Sequence, residues 1–312
     1  MNDTVIQVRE LRKRYGTMTA VDGISFDIRR GETFALLGPN GAGKSTTIEI
    51  LEGYRNRTSG DVGVLGVDPR RAGLDWKARL GIVLQTSGEA GTVTVRELLT
   101  EFAGYYPHPR PVDEVIAAVG LEAKQKVRVS RLSGGQKRRL DVALGIIGRP
   151  ELLFLDEPTT GFDPEARRQF WELIHSLKAE GTSILLTTHY LDEAAQLGDR
   201  AAVITGGRIA ALGAIDEIGG SEARIPVVRW TDTTGLAHAR RTSEPGALVA
   251  ALFRDGGEPS GLEVVRPTLE DIYLGLIRDT EEHDSSEEAS AAGSSPADPH
   301  VHPSLTAVSE EV

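Results

Sequence analysis

Cysteine is absent from all 312 residues. That excludes disulfides, thiolate zinc sites and thiol catalysis, and it agrees with a reducing cytosol. Long apolar runs are absent as well, since none approaches the roughly 20 residues that a membrane-spanning helix needs. The start, Met1-Asn2-Asp3-Thr4, lacks the layout of a secretion signal. A soluble chain is therefore expected. A basic field is also missing. The net charge is −11, and eight acids fall in 280–312, where there is no lysine or arginine. Only three of the eleven net negative charges belong to the rest of the chain, so nothing there points to nucleic acid as a partner.

What is present is enough for a normal core, with 39% hydrophobic residues. Thr4–Arg9 and Ile24–Ile28 read as strands, and Glu32–Leu37 is a short apolar strand followed by a helix over Lys44–Glu52. Leu80–Leu84 reads as another strand, and Leu152–Leu155 and Ser183–Thr187 are short and apolar, as buried parallel strands are. Thr94–Tyr106, Pro111–Val119, Gly135–Gly148 and Glu165–Ala179 read as helices. Ala201–Ile204 and Arg208–Ala211 form a hairpin around Gly206-Gly207. Alternating strands and helices imply an α/β core. The texture changes near Ile218-Gly219-Gly220. Three units are expected: a main domain over 1–220, a small α+β subdomain over 221–279, and a tail over 280–312. Within the second unit Ala223–Thr231 and Leu262–Val265 read as strands, and Ala247–Phe253 and Thr268–Arg278 as helices. The tail is acidic, Ser/Ala/Pro-rich and poor in aromatics, a composition that buries too little surface to order itself.

Four motifs follow one another along the main domain. Gly38-Pro39-Asn40-Gly41-Ala42-Gly43-Lys44-Ser45 fits G-x-x-x-x-G-K-[ST], between a strand and a helix as a phosphate loop requires. Its glycines let backbone N–H groups close around phosphate oxygens, and the helix N-terminus, with Thr46 in its first turn, adds its dipole. The pattern places Lys44 on the β and γ phosphates and Ser45 on Mg²⁺. Asp156 ends an apolar strand, where a carboxylate can hold Mg²⁺ at the carboxyl edge of a parallel sheet. Glu157 beside it is a candidate general base for the attacking water; taken alone, the pair also fits a solvated strand end. Leu132-Ser133-Gly134-Gly135-Gln136 precedes a helix with Ser133 at its N-cap, which alone reads as an ordinary cap or as an anion site. His189 follows the strand ending at Thr187.

This set resembles the ATP-binding subunit of ABC transporters, with Leu132–Gln136 matching that family's signature word. The resemblance covers residue 4 to about 218 and implies a P-loop NTPase core of ABC type with a helical signature subdomain. It further implies ATP and Mg²⁺ as cofactors. Ser133 and Gly135, flanked by Gly134 and Gln136, would contact ATP held by a second subunit, so that a homodimer or pseudo-dimer sandwiches two ATPs. Tyr15 matches the aromatic that stacks on adenine, with a core tyrosine as the alternative. Gln85 matches the glutamine that contacts Mg²⁺ and water. His189 matches the switch histidine on the γ-phosphate, and Asp163 the loop that crosses the dimer interface, where Phe162 replaces the usual leucine.

Arg266–Leu274 resembles the ending of drug- and antibiotic-exporter ATPases of the daunorubicin-resistance type, which work with a separate multi-span membrane permease. The resemblance implies efflux of a drug, antibiotic or other hydrophobic compound, at the cytoplasmic face of the membrane. Thr86–Thr100, with Ala90, Val93, Val95 and Leu98, is a candidate face for that permease or simply a packed helix. An importer ATPase and a soluble ATPase of translation or DNA maintenance stand as alternatives, although one cassette without a long coiled coil fits the second poorly.

Overall fold

The computed structural model describes residues 3–84, 92–256 and 259–278. In chain order it runs β1 (Thr4–Tyr15), β2 (Met18–Arg29), β3 (Thr33–Leu37), α1 (Lys44–Leu51), β4 (Ser59–Val64), α2 (Leu74–Lys77), β5 (Leu80–Val83), α3 (Val95–Ala103), α4 (Val112–Ala118), α5 (Gly134–Ile146) and β6 (Leu152–Asp156). It continues with α6 (Pro164–Ala179), β7 (Ser183–Thr188), α7 (Leu191–Leu197), β8 (Arg200–Thr205), β9 (Arg208–Ala214), α8 (Gly220–Ala223), β10 (Val227–Thr231), β11 (Ala237–Arg241), α9 (Pro245–Gly256) and β12 (Ser260–Val265). A last helix, α10, covers 269–278.

The central sheet has the order β5-β6-β7-β3-β8-β9. Its strands pair in parallel except for the β8–β9 hairpin. Both faces are covered, which is why β3, β6 and β7 read as apolar runs instead of alternating. The period of two still divides the side chains. Ala35 and Leu37 of β3 join the core under the helices, while Phe34 and Leu36 join the core under the antiparallel sheet β2-β1-β4. Each fully buried leucine or phenylalanine contributes about 2 kcal/mol. Val95 and Leu98 are buried in the helical core, so they are packing residues of α3 and offer nothing to a partner. Ala90 lies outside the described residues.

Beyond residue 218 a third sheet, β11-β10-β12, shares no strand with the others. The expected strand over Ala223–Thr231 is divided: Ala223 ends α8, and only Val227–Thr231 is extended. Pro226 lacks a donor for a ladder at that point, and Gly219, with φ 83°, starts the short helix instead. From this sheet the chain returns to the main domain. Leu269, Tyr273 and Leu276 of α10 pack against the helical core. The tail lies outside the described residues.

Candidate nucleotide site

The sheet register assembles the site. β7 lies between β6 and β3, all three parallel, and pairs Asp156 with Thr187 and Leu37 with Thr188. The segments that leave these strands therefore emerge side by side at one carboxyl edge: the loop from Gly38, the acid Glu157 and the histidine His189. Ligands bind at such an edge where the strand order reverses.

The loop is tightly held. A Cβ on Gly43, whose φ is 103°, would sit 2.4 Å from the Ala20 carbonyl oxygen, and one on Gly38 would sit 2.2 Å from that of Ile204. Neither backbone oxygen can yield, so both positions require glycine. Lys44 is buried, and its Nζ donates to the carbonyls of Gly38 (2.8 Å) and Pro39 (3.1 Å). Burial pushes its ammonium pKa down, while Glu157 and Asp156 hold it up. The N-cap of α1 is Gly43, with no side-chain cap, which leaves its first N–H groups to the cleft. Tyr15, Asn40, Gly41, Gly43, Lys44, Ser45, Thr46 and Glu157 line one cleft of about 440 Å³. Tyr15 is half-buried at its rim with Lys13 Nζ 4.8 Å and the Arg55 guanidinium 5.3 Å from its ring, so it is a surface aromatic and not a core tyrosine.

Glu157 has φ 47°, in the left-handed region. Such a conformation costs about 1 kcal/mol or more in a non-glycine residue and clusters at active sites. It is held there by its N–H, which donates to Thr187 O and Thr187 Oγ1, both at 3.1 Å. The Thr187 hydroxyl in turn donates to Asp156 Oδ1. Glu157 Oε1 is 3.3 Å from His189 Nδ1. Gly38, Pro39, Asn40, Glu157 and His189 line a second cavity of about 250 Å³ that shares Asn40 and Glu157 with the first. Its remaining wall is Tyr273 of α10.

The donors suited to a divalent cation are all oxygens, the Ser45 hydroxyl and the Asp156 carboxylate. Among the described residues no group of three or more acids, histidines or cysteines could hold a metal alone. An ion here would share its ligands with phosphates and water, which is how Mg²⁺ binds nucleotides. Gln85, the other expected ligand, lies outside the described residues.

Ser133, Gly134, Gly135 and Gln136 do not line either cavity of their own chain. Ser133 and Gln136 form a reciprocal cap at the start of α5, with Ser133 Oγ accepting from Gln136 N (3.3 Å) and Gln136 Oε1 accepting from Ser133 N (3.1 Å). Ser133 is exposed. Asp163 is exposed too and caps α6, accepting from Ala166 N at 2.7 Å, while Phe162 is buried edge-on against Phe170.

Two residues of consequence escaped the sequence. Arg138, on α5, is 6% exposed and reaches the backbone beneath the acids. Its Nε donates to Pro158 O (3.0 Å), its Nη2 to Asp156 O (2.6 Å) and Glu157 O (3.1 Å), and its Nη1 to Leu84 O. Glu52, at the C-cap of α1, is 7% exposed, and burial, with Asp156 and Glu49 nearby, pushes its carboxyl up to about 8. The folded chain thus keeps a proton that the unfolded chain loses near pH 4.5. The associated stability is complete below that pH and is lost as pH rises towards about 8, on the order of a few kcal/mol. Glu52→Gln should therefore melt close to wild type at pH 5 and several degrees above it at pH 8.5; parallel melting curves at both pH values would reject the assignment.

A parallel-sheet P-loop core with this edge defines a nucleotide-hydrolysing cassette. A family model described as ABC transporter matches residues 21–160. The Nod factor export ATP-binding protein I of Paraburkholderia xenovorans (strain LB400) is 42% identical over 234 residues, 73% of this chain and 77% of that protein. The daunorubicin resistance ATP-binding protein DrrA3 of Streptomyces coeruleorubidus is 35% identical over 308 residues, 89% of this chain and 98% of that protein. A solved ATP-binding subunit of an ABC transporter shares the fold, with TM-score 0.66 at 23% identity over 87% of this chain and 99% of that one. The chain belongs to the ABC transporter family as an ATP-binding subunit, and it is an ATPase.

Proposed function

We propose that this chain powers efflux of a hydrophobic compound, with drugs and antibiotics as the leading class, through a separate multi-span membrane subunit. The observation that carries export is the length of the likeness to a daunorubicin resistance ATP-binding protein and to a Nod factor export ATP-binding protein: it covers 89% and 88% of this chain, more than the cassette alone. The cassette would sit at the cytoplasmic face of the membrane and pair with a second cassette when ATP is bound. Exposed Ser133 and half-buried Gly135 would then reach the partner's ATP, with Asp163 at the interface between the subunits. The cassette over 1–220 and the extension over 221–279 are read as two units joined through α10.

Within each site Tyr15 stacks on the base, and Gly38, Pro39, Asn40, Gly41, Ala42, Gly43, Ser45 and Thr46 wrap the phosphates. Lys44 exchanges its loop carbonyls for β- and γ-phosphate oxygens. Ser45, Asp156 and Gln85 would hold Mg²⁺, which would supply charge to offset that of the phosphates. Glu157 takes a proton from water as the water oxygen attacks the γ-phosphorus and the bond to the β-bridging oxygen breaks. His189, beside Glu157, holds the γ-phosphate and orients the water.

The test is capture of the tagged Glu157→Gln chain from native membranes with ATP and Mg²⁺. A polytopic membrane protein in stoichiometric amount is the expected companion. Recovery of ribosomes or DNA, or of a chain that stays soluble and alone, would overturn coupling to transport.

A further inference from the structure

We propose that Tyr273 belongs to the catalytic site, its phenol hydroxyl donating to the γ-phosphate and its ring closing that end of the site. The proposal rests on the nucleotide site as read above and adds a residue supplied by the C-terminal extension.

The cavity of about 250 Å³ is walled by Gly38, Pro39 and Asn40 from the phosphate loop, by Glu157 and His189, and by Tyr273. Two of those groups are the ones that handle water and the terminal phosphate. Tyr273 is the lining residue that comes from outside the cassette motifs. Its placement is enforced by packing. Thr268 and Asp271 cap α10 reciprocally, with Thr268 N and Oγ1 each 2.8 Å from Asp271 Oδ2 and Asp271 N 3.2 Å from Thr268 Oγ1. Leu269, Tyr273 and Leu276 then fall on one face, at spacings of four and three, against the helical core. Ile272 is 3% exposed and lies over Gly219, where a Cβ would come within 2.3 Å of its Cγ2. The helix therefore has little freedom to rotate Tyr273 away.

The ring is half-buried, and burial raises the phenol pKa, so the hydroxyl keeps its proton at neutral pH and is a donor. It has no hydrogen-bond partner among the described residues, although it stands in a wall otherwise made of groups that meet phosphate. A neutral donor suits this place. It adds to the stabilisation of phosphoryl oxygens without the desolvation cost of a second buried cation beside Lys44.

The test compares Tyr273→Phe with wild type in the full-length chain, with Tyr105→Phe, at an exposed tyrosine that lines neither cavity, as control. Loss of a hydrogen bond to a charged group should lower kcat by about ten- to a hundredfold. The affinity for ADP should stay within about twofold, because the hydroxyl meets the transferred group and not the part retained in ADP. The orthovanadate concentration needed to trap the ADP complex should rise by about tenfold or more. Wild-type kcat and trapping in Tyr273→Phe would overturn the proposal. So would a parallel fall in kcat, ADP affinity and melting temperature, which marks a purely structural tyrosine. Glu157→Gln is assayed alongside. If Glu157→Gln is inactive and Tyr273→Phe is not, the tyrosine alone is excluded; if Glu157→Gln turns over normally, the underlying site is excluded.

Discussion

Glu157→Gln should bind ATP with unchanged affinity and lose about a hundred- to ten-thousandfold in turnover, the range expected when a general base is removed. The substitution is nearly isosteric. It keeps the backbone N–H bonds to Thr187 that hold residue 157 at φ 47°, and it keeps an oxygen facing Thr160 Oγ1, 3.5 Å away in the native chain. Only the basicity is gone, since an amide takes no proton from water near neutral pH. Single-turnover hydrolysis measured beside equilibrium nucleotide binding separates the two quantities. Turnover near the wild-type rate would remove Glu157 from the chemistry, and weakened ATP binding would give it a role in holding nucleotide.

Arg138→Ala should lower the melting temperature by about 10 °C and cost on the order of 4 kcal/mol. Its guanidinium satisfies the carbonyls of Leu84, Asp156, Glu157 and Pro158 in one buried fork. Truncation leaves those oxygens without a donor in a dry setting and opens a cavity between α5 and β6. A domain stable by about 5–15 kcal/mol loses a large share of that margin. Arg138→Lys should recover only part of the loss, because an ammonium lacks the planar spread of donors. Turnover should fall further than stability alone requires, since the same fork sets the backbone of Asp156 and Glu157. A melting temperature within about 2 °C of wild type would show that the carbonyls find other donors.

The candidate site was legible in the sequence wherever chemistry is local. The phosphate loop, the acids after an apolar strand and the serine cap are each set by a few consecutive residues, and the structure brings the loop, Glu157 and His189 to one edge. Expected strands over Leu152–Leu155 and Ser183–Thr187 return as β6 and β7, each longer by one residue. β4 was hidden because Ser-Gly-Asp-Val-Gly-Val has two glycines and a weak alternation, and only pairing with β1 through Ile6–Val64 and Val8–Val62 makes it a strand. β11 is a largely exposed edge with an arginine pair, a composition that does not announce a strand. Arg138 sits in the run Lys137-Arg138-Arg139, which looks solvated; the available signal was its spacing of four from Val142 and eight from Ile146, both buried. Tyr273 read only as part of an apolar helix face, because the cavity it shares with Glu157 and His189 joins residues more than eighty positions apart and depends on tertiary packing.

The left-handed backbone at Glu157 has a bearing on how this chain could be engineered. The proposed general base occupies a position whose geometry glycine or asparagine tolerates better, so replacing it by either relieves about 1 kcal/mol of strain. Heat challenge applied without an activity screen would therefore enrich chains that lack the proposed base at this position early. Selection for robustness and selection for work pull here in opposite directions, and a library aimed at a hardier cassette has to hold residue 157 fixed.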